Sequence, residues 1–229
     1  MTQAPFYVSP EQLMKDRADF ARKGIARGRS VVVLRFETGI LLLAENPSPT
    51  LHKIAEIYDR IGFAAVGKYN EFETLRQAGV RYADLRGYSY DRSDVTARGL
   101  TNAYAQTLAG VFTTESKPFE VELVVAELGH TPADDQLYRI TYDGSVIDET
   151  EHVAIGGQAD AITERLRGVV TSRKPLPDVL GLGIDALAAT TTGPLAVDDL
   201  EAAVLDREVA GHRKFRRLSD AAVAELRRA

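Results

Sequence analysis

The sequence predicts a single α/β domain built as a four-layer α/β/β/α sandwich, with two sheets face to face and helices on the two outer surfaces. Three observations predict it. Strand-like runs arrive in blocks and helix-like segments largely in pairs, an order that does not fit the βαβ alternation of a parallel sheet. The run at 119–126 alternates polar and apolar residues and then becomes wholly apolar, as in a strand covered first on one face and then on both. The first strand run does not open the chain; it follows a helix's length of amphipathic sequence.

The opening helix, 9–28, has a full start signal: Ser9 as N-cap, Pro10 at the first helical position and Gln12 as capping-box partner. Its apolar residues Leu13, Met14, Ala18, Ala21 and Ile25 fall on one side. Strand runs at 30–36 and 40–45 flank Glu37-Thr38-Gly39, a hairpin connection. Asn46, Pro47 and Pro49 mark a loop. Two more strands follow at 54–58 and 61–66, turning at Asp59-Arg60. Asn70 is read as the cap of a helix carrying Phe72, Leu75, Gly79, Tyr82 and Ala83 on one face and ending at Gly87. A second long helix covers 93–112, with Val95, Leu100, Tyr104, Leu108 and Phe112 on one side. Strands at 119–126 and 136–142 come next, and Asp143-Gly144 turns the chain into a short run at 145–147. Helices are expected at 159–170 and 177–189, a closing strand pair at 200–205 and 214–218, and a terminal helix at 221–228.

A chain of 229 residues can bury a sizeable core as one domain. Its net charge of −5 argues against a general nucleic-acid binder. The absence of cysteine removes disulfides, thiol nucleophiles and thiolate metal ligands together. His52, His130, His152 and His212 include no i, i+4 pair, so a zinc site is not expected. No apolar run approaches the roughly 20 residues of a membrane span, and the N-terminus lacks a signal-peptide pattern. A soluble, cytoplasmic protein with neither nucleic-acid nor membrane partners is therefore expected. Gly181-Leu182-Gly183 lies inside a helical pattern and lacks the third glycine of a dinucleotide fingerprint. The basic run at 212–217 holds one aromatic, Phe215, too little for a nucleic-acid surface. Gly156-Gly157 is read as the turn into a helix.

Four long words carry more information: Phe6-Tyr7-Val8-Ser9-Pro10-Glu11, Ala21-Arg22-Lys23-Gly24-Ile25-Ala26-Arg27-Gly28, Tyr58-Asp59-Arg60-Ile61-Gly62-Phe63-Ala64-Ala65 and Arg81-Tyr82-Ala83-Asp84-Leu85-Arg86-Gly87-Tyr88. Through these, and on to about Glu208, the chain resembles the α-type subunits of the proteasome core particle, most closely the actinobacterial branch. The resemblance implies the N-terminal-nucleophile hydrolase form of the sandwich. In that chemistry the first strand starts with Thr, Ser or Cys bearing a free amine, so nucleophile and base share one residue. The family's catalytic β-type subunits add an acid at the end of the second strand and a lysine shortly beyond. Glu45 falls at the acid's place and Lys53 near the lysine's. The nucleophile is what is missing. The strand start reads Arg29-Ser30, behind a capped helix rather than a cleavable propeptide. Ser30 becomes a nucleophile only if the chain is cleaved before it, discarding that helix; such a released hydrolase is the alternative reading. Thr2, exposed if Met1 is removed, lies far ahead of the strand with no base or oxyanion donor held against it.

The resemblance thus implies a structural and gating subunit that is not itself an enzyme and needs no cofactor or metal. Seven copies would form an outer ring, and two such rings would cap a pair of rings made of the proteolytic β subunit. They would control admission of proteins for degradation and dock a ring-shaped ATPase activator through its C-terminal tail. Lys53 would bind the tail's carboxylate through a charge-assisted hydrogen bond, with Gly28 and Gly67 letting the tail approach the backbone. Taken without the resemblance, Lys53 is an ordinary surface lysine and the glycines are turn residues. Thr2, Gln3, Ala4, Pro5, Phe6, Tyr7 and Val8 would form the gate on the ring axis; by pattern alone they are a frayed terminus. Phe6-Tyr7-Val8 stands where archaeal and eukaryotic members have Tyr-Asp-Arg, and the same letters at 58–60 and 90–92 are read as turns. Thr114, Glu115 and Ser116, in a loop at 113–117, match the ring's inner constriction.

Overall fold

A computed structural model of the chain describes residues 9–189, 191 and 195–228; the gate residues expected at 2–8 lie outside them. Helix α1 (Pro10–Ala26) starts as its sequence requires, with Ser9 Oγ accepting the Gln12 amide at 3.2 Å. Only half of the capping box forms, because the Gln12 side chain donates to Asp16 at 2.6 Å instead of turning back. Ala21 and Ile25 are buried, whereas Leu13, Met14 and Phe20 stay exposed.

The strands β1 (Val31–Phe36) and β2 (Gly39–Glu45) form the expected hairpin, and β3 (Ile54–Tyr58) and β4 (Ile61–Gly67) form a second. Helices α2 (Tyr69–Ser89) and α3 (Ala97–Thr114) follow as a pair, then β5 (Val121–Glu127), β6 (Gln136–Ile140), β7 (Val146–Glu149) and β8 (His152–Ile155). Helices α4 (Ala159–Leu166) and α5 (Leu176–Ala188), strands β9 (Leu200–Asp206) and β10 (Phe215–Leu218), and α6 (Asp220–Leu226) complete the order. One sheet runs β10-β9-β2-β1-β8 and the other β3-β4-β5-β6-β7, every pairing antiparallel.

Three apolar layers hold these pieces together. Val31, Val33, Ile40 and Leu42 of the first sheet meet Ile54, Ala64, Val66 and Val124 of the second, and Ala21 and Ile25 of α1 join them. The alternate residues Val32, Leu34, Leu41 and Leu43 face the other way, against Val179, Leu180 and Ile184 of α5 and Ile162 of α4. Phe63, Leu123 and Val125 pack likewise under Phe72 and Leu75 of α2 and Leu100, Tyr104 and Leu108 of α3. Strands covered on both faces have no polar side to alternate with, which is why 31–34 of β1, 40–44 of β2 and 61–66 of β4 read as continuous apolar runs.

The structure departs from expectation at several boundaries. Strand β8 was not expected: four residues opening on a histidine carry too little pattern, yet Val31↔Ile155 through Leu34↔His152 pair in register. The helix expected to start at Asn70 and stop at Gly87 runs through both, with Lys68 as N-cap. Gly87 is a contact residue instead, since a Cβ there would collide with the Tyr58 hydroxyl. Thr96 rather than Ser93 starts α3, its Oγ1 accepting the Gly99 amide at 3.2 Å. Helix α4 ends before 170, and strand β6 before Tyr142. Two of the four cations in the basic run at 212–217 are paired: Arg213 grips Glu56 at 2.6–2.9 Å and Arg217 grips Glu201 at 2.6 Å. No helix among the described residues is long and apolar enough to cross a membrane.

Candidate functional site around Lys53

The end of α1 and the start of β1 meet the end of β2 and the approach to β3. Gly28 continues from α1, its amide donating to the Ile25 carbonyl at 2.9 Å. Arg29 then reaches across to Glu45 at the end of β2, guanidinium to carboxylate at 2.7 Å. Between β2 and β3 the loop is stitched by Asn46, whose Oδ1 accepts the Ser48 amide at 3.2 Å and whose Nδ2 donates to the Leu51 carbonyl at 2.9 Å. That loop delivers Lys53. Its Nζ donates to the Arg29 carbonyl at 2.7 Å and the Glu45 carbonyl at 3.1 Å.

Lys53 is half-buried, and burial is the largest influence on its ammonium, lowering its pKa from 10.5 to about 8. Glu45 and Glu201 push the pKa up and Arg29 pushes it down. A lysine so placed is a cation with depressed basicity, fixed by two main-chain carbonyls rather than by a carboxylate. Gly67, at the end of β4, lies against Gly28: a Cβ on Gly28 would come within 3.4 Å of the Gly67 nitrogen. Gly67 has φ +107°, a region that L side chains rarely adopt, and a Cβ there would collide with the Glu120 carbonyl. Gly28 and Gly67 therefore touch, and Lys53 is bound to Arg29, the residue next to Gly28.

Glu45 and Lys53 gather here beside Ser30 and Arg29. Ser30 is 3% exposed, its nitrogen is acylated by Arg29, and its Oγ accepts the Gln158 amide at 3.3 Å. The Glu45 carboxylate is engaged by Arg29.

The family model described as "Proteasome subunit" matches residues 25–204. The chain belongs to the proteasome subunit family. The two five-stranded sheets with helices outside are the N-terminal-nucleophile hydrolase sandwich of that family. Among curated relatives named proteasome subunit alpha, that of Kineococcus radiotolerans is 64% identical over 230 residues, covering 97% of this chain and 97% of the relative. That of Xylanimonas cellulosilytica is 65% identical over 233 residues, covering 97% and 95%. That of Saccharopolyspora erythraea is 59% identical over 224 residues, covering 97% and 87%.

The residues matched to the constriction lie apart from Lys53. Thr114 is not in a loop: it is the last residue of α3, and its hydroxyl donates to the Gly110 carbonyl at 2.7 Å. Thr113 does the same one turn back, its hydroxyl donating to the Ala109 carbonyl at 2.8 Å. Glu115 and Ser116 follow it, and all three are exposed. Arg17 of α1 holds this end of α3, donating to the carbonyls of Phe112 at 2.7 Å, Val111 at 3.2 Å and Glu115 at 2.5 Å. The two Tyr-Asp-Arg words are joined: Arg92 of the second donates to Asp59 of the first at 2.9 and 2.5 Å.

Sequence alone does not mark two residues that build the Lys53 region. Asn46 reads as a loop residue, and Glu201 as one acid in the closing strand. A signal for Glu201 exists, since it is the single charge within the apolar run 200–205.

Proposed function

We propose that the chain is the non-catalytic α subunit of a bacterial proteasome core particle. Seven copies form the outer ring, two such rings cap a pair of β-subunit rings, and the β subunits carry the threonine-protease chemistry in the cytoplasm. Residues 1–8 form the gate, and 114–116 line the inner constriction. Lys53, with Gly28 and Gly67 beside it, receives the C-terminal carboxylate of a ring-shaped ATPase. The reading is supported by the name shared by the relatives, proteasome subunit alpha. The observation that carries it is the state of the hydrolase corner: Ser30 Oγ is buried and taken up by the Gln158 amide, while the Lys53 ammonium is steadied by the Arg29 and Glu45 carbonyls. Such an arrangement lacks a nucleophile–base pair but suits an anion receptor.

Co-expression with the β partner, electron microscopy and intact-mass measurement test it together. Four stacked sevenfold rings are expected, with residues 9–29 retained in the α chain and no peptide hydrolysis by that chain alone. An α chain that begins at Ser30 and hydrolyses peptides by itself would overturn the reading in favour of a released hydrolase.

A further inference from the structure

Glu201 is an acid inside a strand whose first six residues are all buried. It is 9% exposed itself. A carboxylate taken out of water is strongly disfavoured unless donors surround it, and here four do. Its Oε2 accepts from the Lys53 main-chain amide at 2.8 Å and from Asn46 Nδ2 at 2.8 Å. Its Oε1 accepts from the Ile54 amide at 3.2 Å and from Arg217 Nη1 at 2.6 Å, and His52 Nδ1 lies 3.2 Å away. The four donors come from the loop after β2, the consecutive residues Lys53 and Ile54 and the edge strand β10. The carboxylate therefore clamps the main chain at the residue whose side chain forms the site.

The far end of that side chain has its own constraints. An ammonium carries three N–H donors. Two of them go to the Arg29 and Glu45 carbonyls, which leaves one for an external acceptor.

We propose that Glu201 is the positioning residue of this site: it fixes the main chain at Lys53 and Ile54, so that the ammonium rests on its two carbonyls with one N–H directed to the carboxylate of a docking tail. The proposal rests on Lys53 as a docking cation and adds the residue that sets it. The charged groups around Lys53 make this testable apart from docking. Glu45 and Glu201 favour the ammonium, whereas Arg29 opposes it. Removing the Glu201 charge therefore lets Lys53 lose its proton at lower pH, which reports the charge, whereas a loss of affinity with the charge kept reports the position.

The experiment uses the full chain assembled with its β partner and the variants Glu201→Gln and Glu201→Asp. The acylation rate of Lys53 by acetic anhydride, followed against pH by mass spectrometry, reports the ammonium without any ligand. Binding of a short peptide copying the C-terminus of the partner ATPase, as free acid and as amide, reports docking. In Glu201→Gln the acylation midpoint should move to lower pH, and free-acid affinity at neutral pH should fall about 5- to 10-fold, part of what a hydrogen bond to a charged group contributes. Glu201→Asp keeps the charge but withdraws the carboxylate by one methylene, so the midpoint should stay while affinity falls. An assembled Glu201→Gln particle with unchanged midpoint and unchanged affinity would overturn the proposal. If that variant does not assemble, unchanged affinity in Glu201→Asp does the same. Full free-acid binding by Lys53→Ala would overturn the docking reading beneath the proposal, while the acylation midpoint still decides whether Glu201 governs Lys53.

Discussion

On the docking proposal a carboxylate would bind Lys53 only while the amine is charged, and burial lowers that amine's pKa to about 8. The tail's own carboxylate stays ionised throughout this range. The apparent affinity is the intrinsic one scaled by the charged fraction. At pH 7 that fraction is near one, and at pH 9, one unit above the midpoint, it is about a tenth. Affinity for a free-acid tail peptide should therefore be level below pH 7 and weaken roughly tenfold by pH 9. Fluorescence anisotropy with a labelled peptide across pH 6–10 measures it, and calorimetry near pH 8 should show proton uptake on binding. In Lys53→Arg the guanidinium keeps its charge, so the slope should vanish, though the broader head should bind less tightly. The amidated peptide should show no such slope in either protein. A wild-type affinity that stays flat from pH 7 to 10, or the same slope in Lys53→Arg, would refute the reasoning. Stability moves in the opposite sense. An unfolded lysine titrates near 10.5, so between about 8 and 10.5 the unfolded chain binds more protons. The fold consequently gains stability as pH rises through that window.

Three further outcomes are expected. Deleting residues 1–8 leaves Ser9 to cap α1; the ring should still form, and peptide hydrolysis by the assembled particle should rise, so unchanged turnover of peptides and of an unfolded protein would count against the gate. Deleting residues 1–27 removes Ala21 and Ile25 from the layer between the sheets and should abolish assembly with β subunits, scored by size exclusion and microscopy. Gly67→Ala places a side chain at φ +107° against the Glu120 carbonyl; a loss of about 1–3 kcal/mol is expected, read as a lower Tm.

Much of this fold is legible in the sequence because two-sided burial writes itself as unbroken apolar runs, as at 31–34 in β1 and 123–126 in β5. Element ends are less so. Gly87 looks like a helix terminator, but what fixes it is the Tyr58 hydroxyl packed against it, a contact that no local pattern records. Strand β8 is too short to show a period and gains its identity from pairing with β1. At the site, Lys53, Gly28 and Gly67 were identified through family resemblance alone. Their surroundings escape the sequence because the acceptors on Lys53 are main-chain carbonyls, which every residue has. The Glu201 carboxylate joins Asn46 from 155 positions away, beyond any spacing rule.

Arg17 has a consequence for the order in which the chain acquires its structure. The last carbonyls of a helix lack amide partners within it, and at the end of α3 the guanidinium that takes up the Phe112 carbonyl comes from a residue 95 positions earlier in the chain. It also lies 5.8 Å above the Phe112 ring. Contacts of such separation are closed late, after the loop entropy between them has been overcome. The final turn of α3 therefore stays open to solvent until α1 settles on the sandwich. Amide exchange at residues 111–115 should slow in step with α1, and not with the earlier turns of α3. On that outcome, the first helix in the sequence would be among the last to complete the fold.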